Sequence, residues 1–164
     1  MEILTLGNDL LREKAAPVIN IKGEIKSLSK TVQNMLDIVC MGRGIGLAGP
    51  QIGIMRRIFV VNIGKNIPSV YINPSIIETS LETVKYEEGC LSIPGVWANI
   101  IRPKFIKVQA WNEKGQSFTV EADDLLARVI LHEYDHLEGI LFIDHLSEIK
   151  RNKILNKIAK RFKK

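Results

Sequence analysis

The residues with the clearest chemical meaning form one run, His132-Glu133-Tyr134-Asp135-His136. In an α-helix, residues four positions apart are separated by about 40° around the axis and by one turn along it. The imidazoles of His132 and His136 therefore face the same way and can bind one metal ion, and Glu133 can reach a water molecule beside it. This HExxH arrangement is typical of metal hydrolases, in which the carboxylate acts as the base. A chance pairing is the less favoured interpretation, because the chain has only 3 histidines.

A hydrolytic site of this kind needs a third protein ligand and one open position. The longer pattern HExxHxxGxxH fails at Phe142, which stands where the third histidine would be. Downstream candidates are Asp144, His145 and Glu148, and we expect His145 to lie outside the site, beyond the helix end. Upstream, Cys90 offers a thiolate, which suits zinc and ferrous iron, but a lone cysteine is more often simply buried.

Three helices are predicted around this motif. Apolar residues at helical spacing predict the first over residues 24–41. Asp123 or Asp124 is a suitable N-cap for the helix that carries HExxH and runs to Gly139, and Ser147 for a last helix. The apolar face expected on that last helix consists of Ile149, Leu155, Ile158 and Phe162.

Strands dominate the middle of the chain. Segments 57–63, 70–77, 104–111 and 116–120 read as strands, and residues 112–115 form a good hairpin turn between the last two. The pattern predicts an α+β fold, with mainly antiparallel sheets packed around the central HExxH helix and a C-terminal helix. At 164 residues, the chain is expected to form a single catalytic domain, 1–164.

Composition points to an ordinary globular protein in a reducing compartment. Hydrophobic residues make up 46% and charged residues 25% of the chain. The 2 cysteines, Cys40 and Cys90, are too few for a disulfide framework, and we expect Cys40 to be packed in the core. The N-terminus lacks the pattern of a signal peptide, and no apolar stretch reaches membrane-spanning length. We therefore expect a cytoplasmic protein with no membrane partner, and an organelle matrix as the lesser option.

Three segments, taken in order, carry a resemblance to a known family. They are Gly44-Ile45-Gly46-Leu47-Ala48-Gly49-Pro50-Gln51, Glu88-Gly89-Cys90-Leu91-Ser92 and His132-Glu133-Tyr134-Asp135-His136-Leu137. Together they resemble the peptide deformylases, which carry GxGxAAxQ, EGCLS and HExDHL. Residues 9–18 and 141–144 also fit, so the resemblance covers almost the whole chain. It implies a metal-dependent hydrolase that removes the formyl group from the N-terminal formylmethionine of nascent polypeptides and releases formate.

The resemblance also implies the roles of individual residues. The metal ligands it implies are Cys90, His132 and His136. They hold one divalent ion, Fe2+ in the cell, with Zn2+, Ni2+ or Co2+ as substitutes in purified protein. Glu133 acts as the base, while the Gln51 side chain and the Leu91 backbone N–H stabilise the developing oxyanion.

The substrate contacts implied by the resemblance come from all three motifs and their neighbours. They are Gly44, Ile45, Gly46, Tyr86, Glu88, Gly89, Leu125 and Val129. The glycines let a peptide approach as an added strand. Ile45, Tyr86, Leu125 and Val129 are expected to line the methionine slot, and Arg102 to support Glu88 as an ion pair behind the site.

Three positions depart from the family pattern. Gly49 replaces the more usual second alanine. Leu131 stands where glutamine usually precedes the first ligand histidine, which removes a polar side chain near the site. Trp97 occupies a place at the cleft rim where relatives carry a smaller or polar residue.

The net charge of +5 is concentrated at the C-terminus. Eight of the 23 Lys and Arg residues are Lys150, Arg151, Lys153, Lys157, Lys160, Arg161, Lys163 and Lys164. A solvated helix face is the first interpretation. The alternative hypothesis is that this helix docks the enzyme on the phosphate-rich surface of the ribosome.

Other functions remain open at this point. A zinc endopeptidase would use His145 or Glu148 as its third ligand, and a basic RNA-binding module would contain no metal. A deformylase-like protein without activity is disfavoured, because Glu133, Gln51 and the three implied ligands are all present. We expect a monomer that acts on N-formylmethionyl peptides.

Overall fold

The computed structural model describes residues 2–63 and 69–162. Within these ranges the α-helices are α1 (Ile21–Ile38), α2 (Asp124–Leu137) and α3 (Glu148–Phe162). The strands are β1 (Gly46–Ala48), β2 (Ile58–Val61), β3 (Val70–Thr79), β4 (Thr83–Cys90), β5 (Ile93–Pro103), β6 (Phe105–Trp111) and β7 (Ser117–Asp123). The predicted α+β fold is confirmed.

The strands form two separate antiparallel sheets. Five strands follow the order β1-β2-β3-β6-β7, and β4 and β5 form a two-stranded hairpin of their own. The predicted turn between β6 and β7 is confirmed, and the backbone N–H of Asn112 donates to the carbonyl of Gln116 at 2.9 Å. A two-stranded sheet is marginal by itself, so the β4–β5 hairpin depends on what packs against it.

Helix α2 lies between the two sheets. Its apolar side, with Ala127, Ile130 and Leu137, packs on Phe59 and Tyr71 of the five-stranded sheet. Its other side carries Arg128, His132 and Asp135, which bond to residues of the β4–β5 hairpin. One side of α2 thus forms a hydrophobic interface with the five-stranded sheet, and the other side forms a polar interface with the β4–β5 hairpin.

Helix α1 begins earlier than predicted and ends in a wider turn. The Asn20 side chain accepts a hydrogen bond from the Gly23 N–H at 3.1 Å, so the helix is capped there and starts at Ile21. After Ile38 the chain makes a π-helical turn over Val39–Arg43. This turn rotates the following side chains, and Cys40 is exposed. The prediction that Cys40 packs in the core was wrong.

The apolar face of α3 also differs from the prediction. Ile149 is 71% exposed, whereas Ile154, Leu155 and Ile158 pack on the cluster beneath the β4–β5 hairpin. These three residues follow the i, i+1, i+4 spacing of one helix face, whereas Ile149 lies about 180° around the helix from Ile158, at about 100° per residue. The side chain of Phe162 lies outside the described residues.

No helix in the described ranges is long and apolar enough to cross a bilayer.

Gly139 fixes the end of the helix that carries HExxH. Its φ is +72°, and the bonds Gly139 N–H to His136 O (3.3 Å) and Ile140 N–H to Asp135 O (2.9 Å) form a Schellman motif. A Cβ at this position would collide with the backbone carbonyl of Arg12. Glycine is therefore required both by the backbone angle and by the close approach of the N-terminal segment.

Replacing Gly139 by alanine should destabilise the fold more than the same change at Gly53. Gly53 has a similar φ of +76°, but a Cβ there would meet its nearest neighbour at 4.0 Å. Gly53→Ala should cost about 1 kcal/mol from the backbone angle alone. Gly139→Ala should lose a further 1–3 kcal/mol or so from overpacking. Urea denaturation measures both, and equal losses would contradict the close approach.

Candidate active site

Three potential metal ligands meet where α2 faces the β4–β5 hairpin. One ligand atom from each of Cys90, His132 and His136 lies within 4.8 Å of the other two. Sγ of Cys90 is 3.2 Å from Nε2 of His136. The structure therefore brings together the three residues that the resemblance implied as ligands.

Each ligand is placed by a regular element. His132 and His136 are one turn apart on α2, and their ring centroids are 5.2 Å apart. Cys90 ends β4, where the register of the hairpin shifts between Gly89 and Cys90. Since strand side chains alternate between faces, Glu88 and Cys90 point to the same side of the hairpin, toward α2.

The Glu88 carboxylate is the polar centre behind these ligands. Oε1 accepts from Arg102 Nε at 2.7 Å and from Arg128 Nη1 at 2.6 Å. Oε2 accepts from Arg102 Nη2 at 3.0 Å and lies 2.9 Å from His132 Nδ1. Because an ionised carboxylate only accepts, Nδ1 of His132 carries a proton, and Nε2 is the ring nitrogen that can bind a metal ion once it is deprotonated.

The electrostatics around Glu88 keep it ionised. Burial alone would raise the pKa of this carboxyl, but hydrogen bonds from His132 and Arg102 hold the pKa well below its usual value. The Glu88 side chain is only 5% exposed. An ionised, fully bonded carboxylate of this kind holds the His132 ring in one orientation.

The donor set fits a divalent cation. Burial lowers the pKa of His132, but hydrogen bonds with Cys90 and Glu88 outweigh it and raise the pKa to about 10. Burial, followed by the positive charges of His132 and Arg102, lowers the pKa of His136 well below its ordinary value, so this imidazole is neutral. The site therefore favours one positive charge beside a thiol and a neutral imidazole, and a metal ion can supply that charge in place of a proton.

Glu133 is buried beside the ligands. Its Oε2 atom has no hydrogen-bond partner among the described residues, and burial is the main cause that raises its pKa to about 7. Glycine at position 46 leaves room for this carboxylate, because a Cβ there would collide with Oε1 of Glu133. The carboxylate is thus held close to β1 with an oxygen still available.

Gln51 is fixed in the same corner of the molecule. Its Oε1 accepts from the Ala48 N–H at 2.8 Å, which turns the amide nitrogen toward Ser92 Oγ at 3.2 Å and Cys90 Sγ at 3.5 Å. Leu91 follows Cys90 directly. The Gln51 amide nitrogen therefore lies beside the thiol, and the Leu91 backbone N–H belongs to the residue that follows it in the chain.

A cavity of about 570 Å³ opens onto this site. All eight residues predicted to contact substrate line it: Gly44, Ile45, Gly46, Tyr86, Glu88, Gly89, Leu125 and Val129. Ile45, Tyr86 and Leu125 are 45%, 61% and 50% exposed, whereas Val129 is buried. The first three are therefore cleft residues rather than core residues, and Val129 lies at the bottom of an apolar slot.

The downstream ligand candidates lie elsewhere. Nε2 of His145 is 2.7 Å from Oδ2 of Asp135, and Asp144 accepts from the Leu141 N–H at 2.8 Å. Glu148 is exposed at the start of α3. None of these belongs to the cluster around Cys90, which removes the structural basis for the endopeptidase alternative.

Sequence reasoning missed three polar residues of this region: Arg128, Asp135 and Ser92. Arg128 is 7% exposed and bonds to Glu88, and Asp135 accepts from Arg102 Nη1 at 2.8 Å. Arg128 lies four residues before His132, on the same helix face. The sequence signal available for Arg128 was therefore a charged residue four positions before a proposed ligand.

The three positions that depart from the family pattern, Gly49, Leu131 and Trp97, lie in different surroundings. A Cβ at Gly49 would lie 2.6 Å from the Ile54 carbonyl oxygen, so alanine does not fit there without a backbone shift. Leu131 packs against the core beneath the large sheet. Trp97 is 66% exposed, lines the cavity and lies opposite Gly89 in the hairpin register.

Comparisons with known proteins agree with this geometry. The profile of the polypeptide deformylase family matches residues 1–152. A peptide deformylase of Borreliella burgdorferi is 48% identical over 156 residues, covering 94% of this chain and 93% of that protein. The crystal structure of peptide deformylase from Ehrlichia chaffeensis has a TM-score of 0.91 at 33% identity and covers 99% of this chain and 97% of that one. Its complex with actinonin has a TM-score of 0.89 at 34% identity, covering 98% and 96%.

The match therefore extends over almost the full length of both sequence and fold, and the family it identifies is one of hydrolases that remove the N-formyl group from nascent polypeptides. This chain belongs to the polypeptide deformylase family.

Proposed function

We propose that this chain removes the formyl group with one divalent metal ion held by Cys90, His132 and His136. The observation that carries the proposal is the convergence of a thiol and two imidazoles within 4.8 Å beside the buried carboxylate of Glu133, at the bottom of an apolar cleft. Thiolate and imidazole are good ligands for zinc and ferrous iron. When bound, such an ion polarises a carbonyl oxygen and makes water easier to deprotonate.

Glu133 is the proton carrier in this proposal. Its buried carboxylate accepts a proton from the water that attacks the formyl carbon. The same proton is then delivered to the amine nitrogen as the carbon–nitrogen bond breaks, which yields formate and a free N-terminus. Burial suits this role, because a raised pKa brings a carboxyl closer to the pH at which it must both take and give a proton.

The formyl oxygen gains negative charge during the attack. We assign its stabilisation to the Gln51 amide N–H and the Leu91 backbone N–H. The bond from the Ala48 N–H to Gln51 Oε1 supports this role, because it fixes which end of the amide faces the site. Preorganised donors of this kind need no rearrangement at the moment of reaction.

The cleft suits an extended peptide. β1 is an edge strand of the five-stranded sheet, so its outer edge at Gly46, together with Gly44 just before the strand, can pair with a substrate backbone. The methionine side chain then enters the slot formed by Ile45, Tyr86, Leu125 and Val129. The substrate class is N-formylmethionyl peptides.

We further propose Fe2+ as the ion in the cell, with Zn2+, Ni2+ or Co2+ in its place after purification.

The chain, residues 1–164, acts as a single monomeric domain in the cytoplasm. It docks on the ribosome through α3. Exposed lysines at positions 150, 153, 157 and 160 of that helix support the docking proposal.

Loss of the thiol should remove the metal. Cys90→Ala should lose most bound metal and nearly all activity on formyl-Met-Ala peptides, because two imidazoles alone hold a divalent ion poorly. Cys40→Ala is the matched control, since Cys40 is exposed and lies outside the cluster. Metal content after anaerobic purification and formate release measure the two effects. Full metal content in Cys90→Ala would contradict the ligand assignment.

Glu133→Gln should separate metal binding from chemistry. The amide keeps the shape of the side chain but cannot carry the proton, so the rate should fall by about 10²–10⁴-fold. Metal content should stay at the parental level, because Glu133 is not a ligand in this proposal. Near-parental kcat in this variant would remove Glu133 from its role.

Charge reversal on α3 should weaken ribosome binding without changing the chemistry. Lys153, Lys157 and Lys160 are exposed, so their change to Glu leaves the packed face of the helix intact. Co-sedimentation with ribosomes at low salt should fall, since phosphate contacts contribute salt-dependent affinity, while activity on short peptides persists. Reversing Lys26, Lys30 and Lys114 gives the same change in net charge at other exposed sites. Equal loss in both variants would show that only net charge matters.

A further inference from the structure

The proposed metal ligands come from two elements that share no sheet. Cys90 belongs to the β4–β5 hairpin, and both histidines belong to α2. Within the described ranges, the hairpin pairs with no strand of the five-stranded sheet. A metal site tolerates errors of only about 0.2 Å in its ligand distances. The position of the hairpin against α2 therefore decides whether the thiol and the imidazoles can share an ion.

Arg128 is a polar link between these two elements. From α2 its Nη1 donates to Glu88 Oε1 at 2.6 Å and to the carbonyl of Ile100 at 3.1 Å. Its Nη2 donates to the carbonyl of Val84 at 2.6 Å. Val84 and Glu88 belong to β4, and Ile100 belongs to β5. A single guanidinium thus holds both strands of the hairpin.

The links to the hairpin lie along one side of α2. Arg128, His132 and Asp135 are spaced by four and three residues, so they share one face over about two turns. His132 contacts Glu88, and Asp135 accepts from Arg102 of β5. Arg128 and Asp135 therefore join the helix to the hairpin on either side of the ligand His132.

We propose that Arg128 is a positioning residue for the metal site, which fixes the strand that carries Cys90 at the correct distance from α2. It does not contact the ion. The planar guanidinium is required because one nitrogen cannot reach Glu88 and the two carbonyls together. When Arg128 is lost, the hairpin moves relative to α2 and the thiol is no longer held beside the imidazoles.

The test compares Arg128→Met with Arg57→Met, using Zn2+ affinity as the readout. Arg57 also binds α2, through Glu138 at 2.5 Å and over the Tyr134 ring at 5.2 Å, but it joins the helix to the other sheet. Both variants should lower the melting temperature. In chelator competition from the zinc-loaded protein, Arg128→Met should raise the Zn2+ dissociation constant about 10–100-fold, and Arg57→Met should stay within about twofold.

Two further measurements keep the test decisive. Cobalt-substituted Arg128→Met should show a weakened sulfur-to-cobalt absorption band, which reports the thiolate directly. Arg128→Lys keeps the charge beside Glu88 but cannot span the two carbonyls, so its Zn2+ affinity should fall between those of the parent and Arg128→Met. If Arg128→Met does not fold, Arg128→Lys alone decides. A dissociation constant within about twofold of the parent in the folded variants would overturn the proposal. This inference rests on the ligand set of the proposed function, which the Cys90→Ala variant tests. Zinc affinity does not depend on deformylation, so the activity and the role of Arg128 can fail separately.

Discussion

The candidate site depends on one buried carboxylate. Glu88 accepts bonds from two arginines and lies against His132, so it connects β4, β5 and α2. Burying such charges is costly, and removing one partner leaves the others uncompensated. The buried charges of this network are therefore balanced only when all of its members are present. This requirement explains why polar residues line the hairpin side of α2 while its opposite side packs on an apolar sheet.

The same arrangement explains how the candidate ligands can be held in place while the cleft beside them stays accessible. The candidate ligands and Glu133 lie on α2, which packs on the five-stranded sheet, and on β4, which bonds to the arginines beside them. The cleft residues Ile45, Tyr86 and Leu125 are partly exposed, although the Arg128 guanidinium lies 5.9 Å from the centroid of the Tyr86 ring. Hydrogen bonds and burial are therefore concentrated around the candidate ligands, and the walls of the cleft are exposed to solvent.

The features that the sequence could predict are those whose interacting residues lie close together along the chain. The HExxH motif could be identified from the sequence because the helical period alone brings His132 and His136 together. Cys90 was reached through the resemblance to a family, since its contact with α2 joins distant segments. Arg128 was missed because its spacing from His132 shows that the two share a helix face, but not that the β4–β5 hairpin packs over that face. Cys40 was misplaced because a π turn interrupts the regular helical spacing. Ile149 was misplaced because regular spacing puts it on the side of α3 opposite to Ile158.

Gly46 would connect substrate binding to the proposed base, Glu133. As part of the edge strand β1, its backbone is available to pair with an extended peptide, and the missing Cβ leaves the space that the Glu133 carboxylate occupies. A larger residue would push either the strand or the carboxylate away. The strand that would receive the substrate and the group that would carry the proton are therefore in direct contact. Their separation is set by the backbone itself rather than by a flexible side chain.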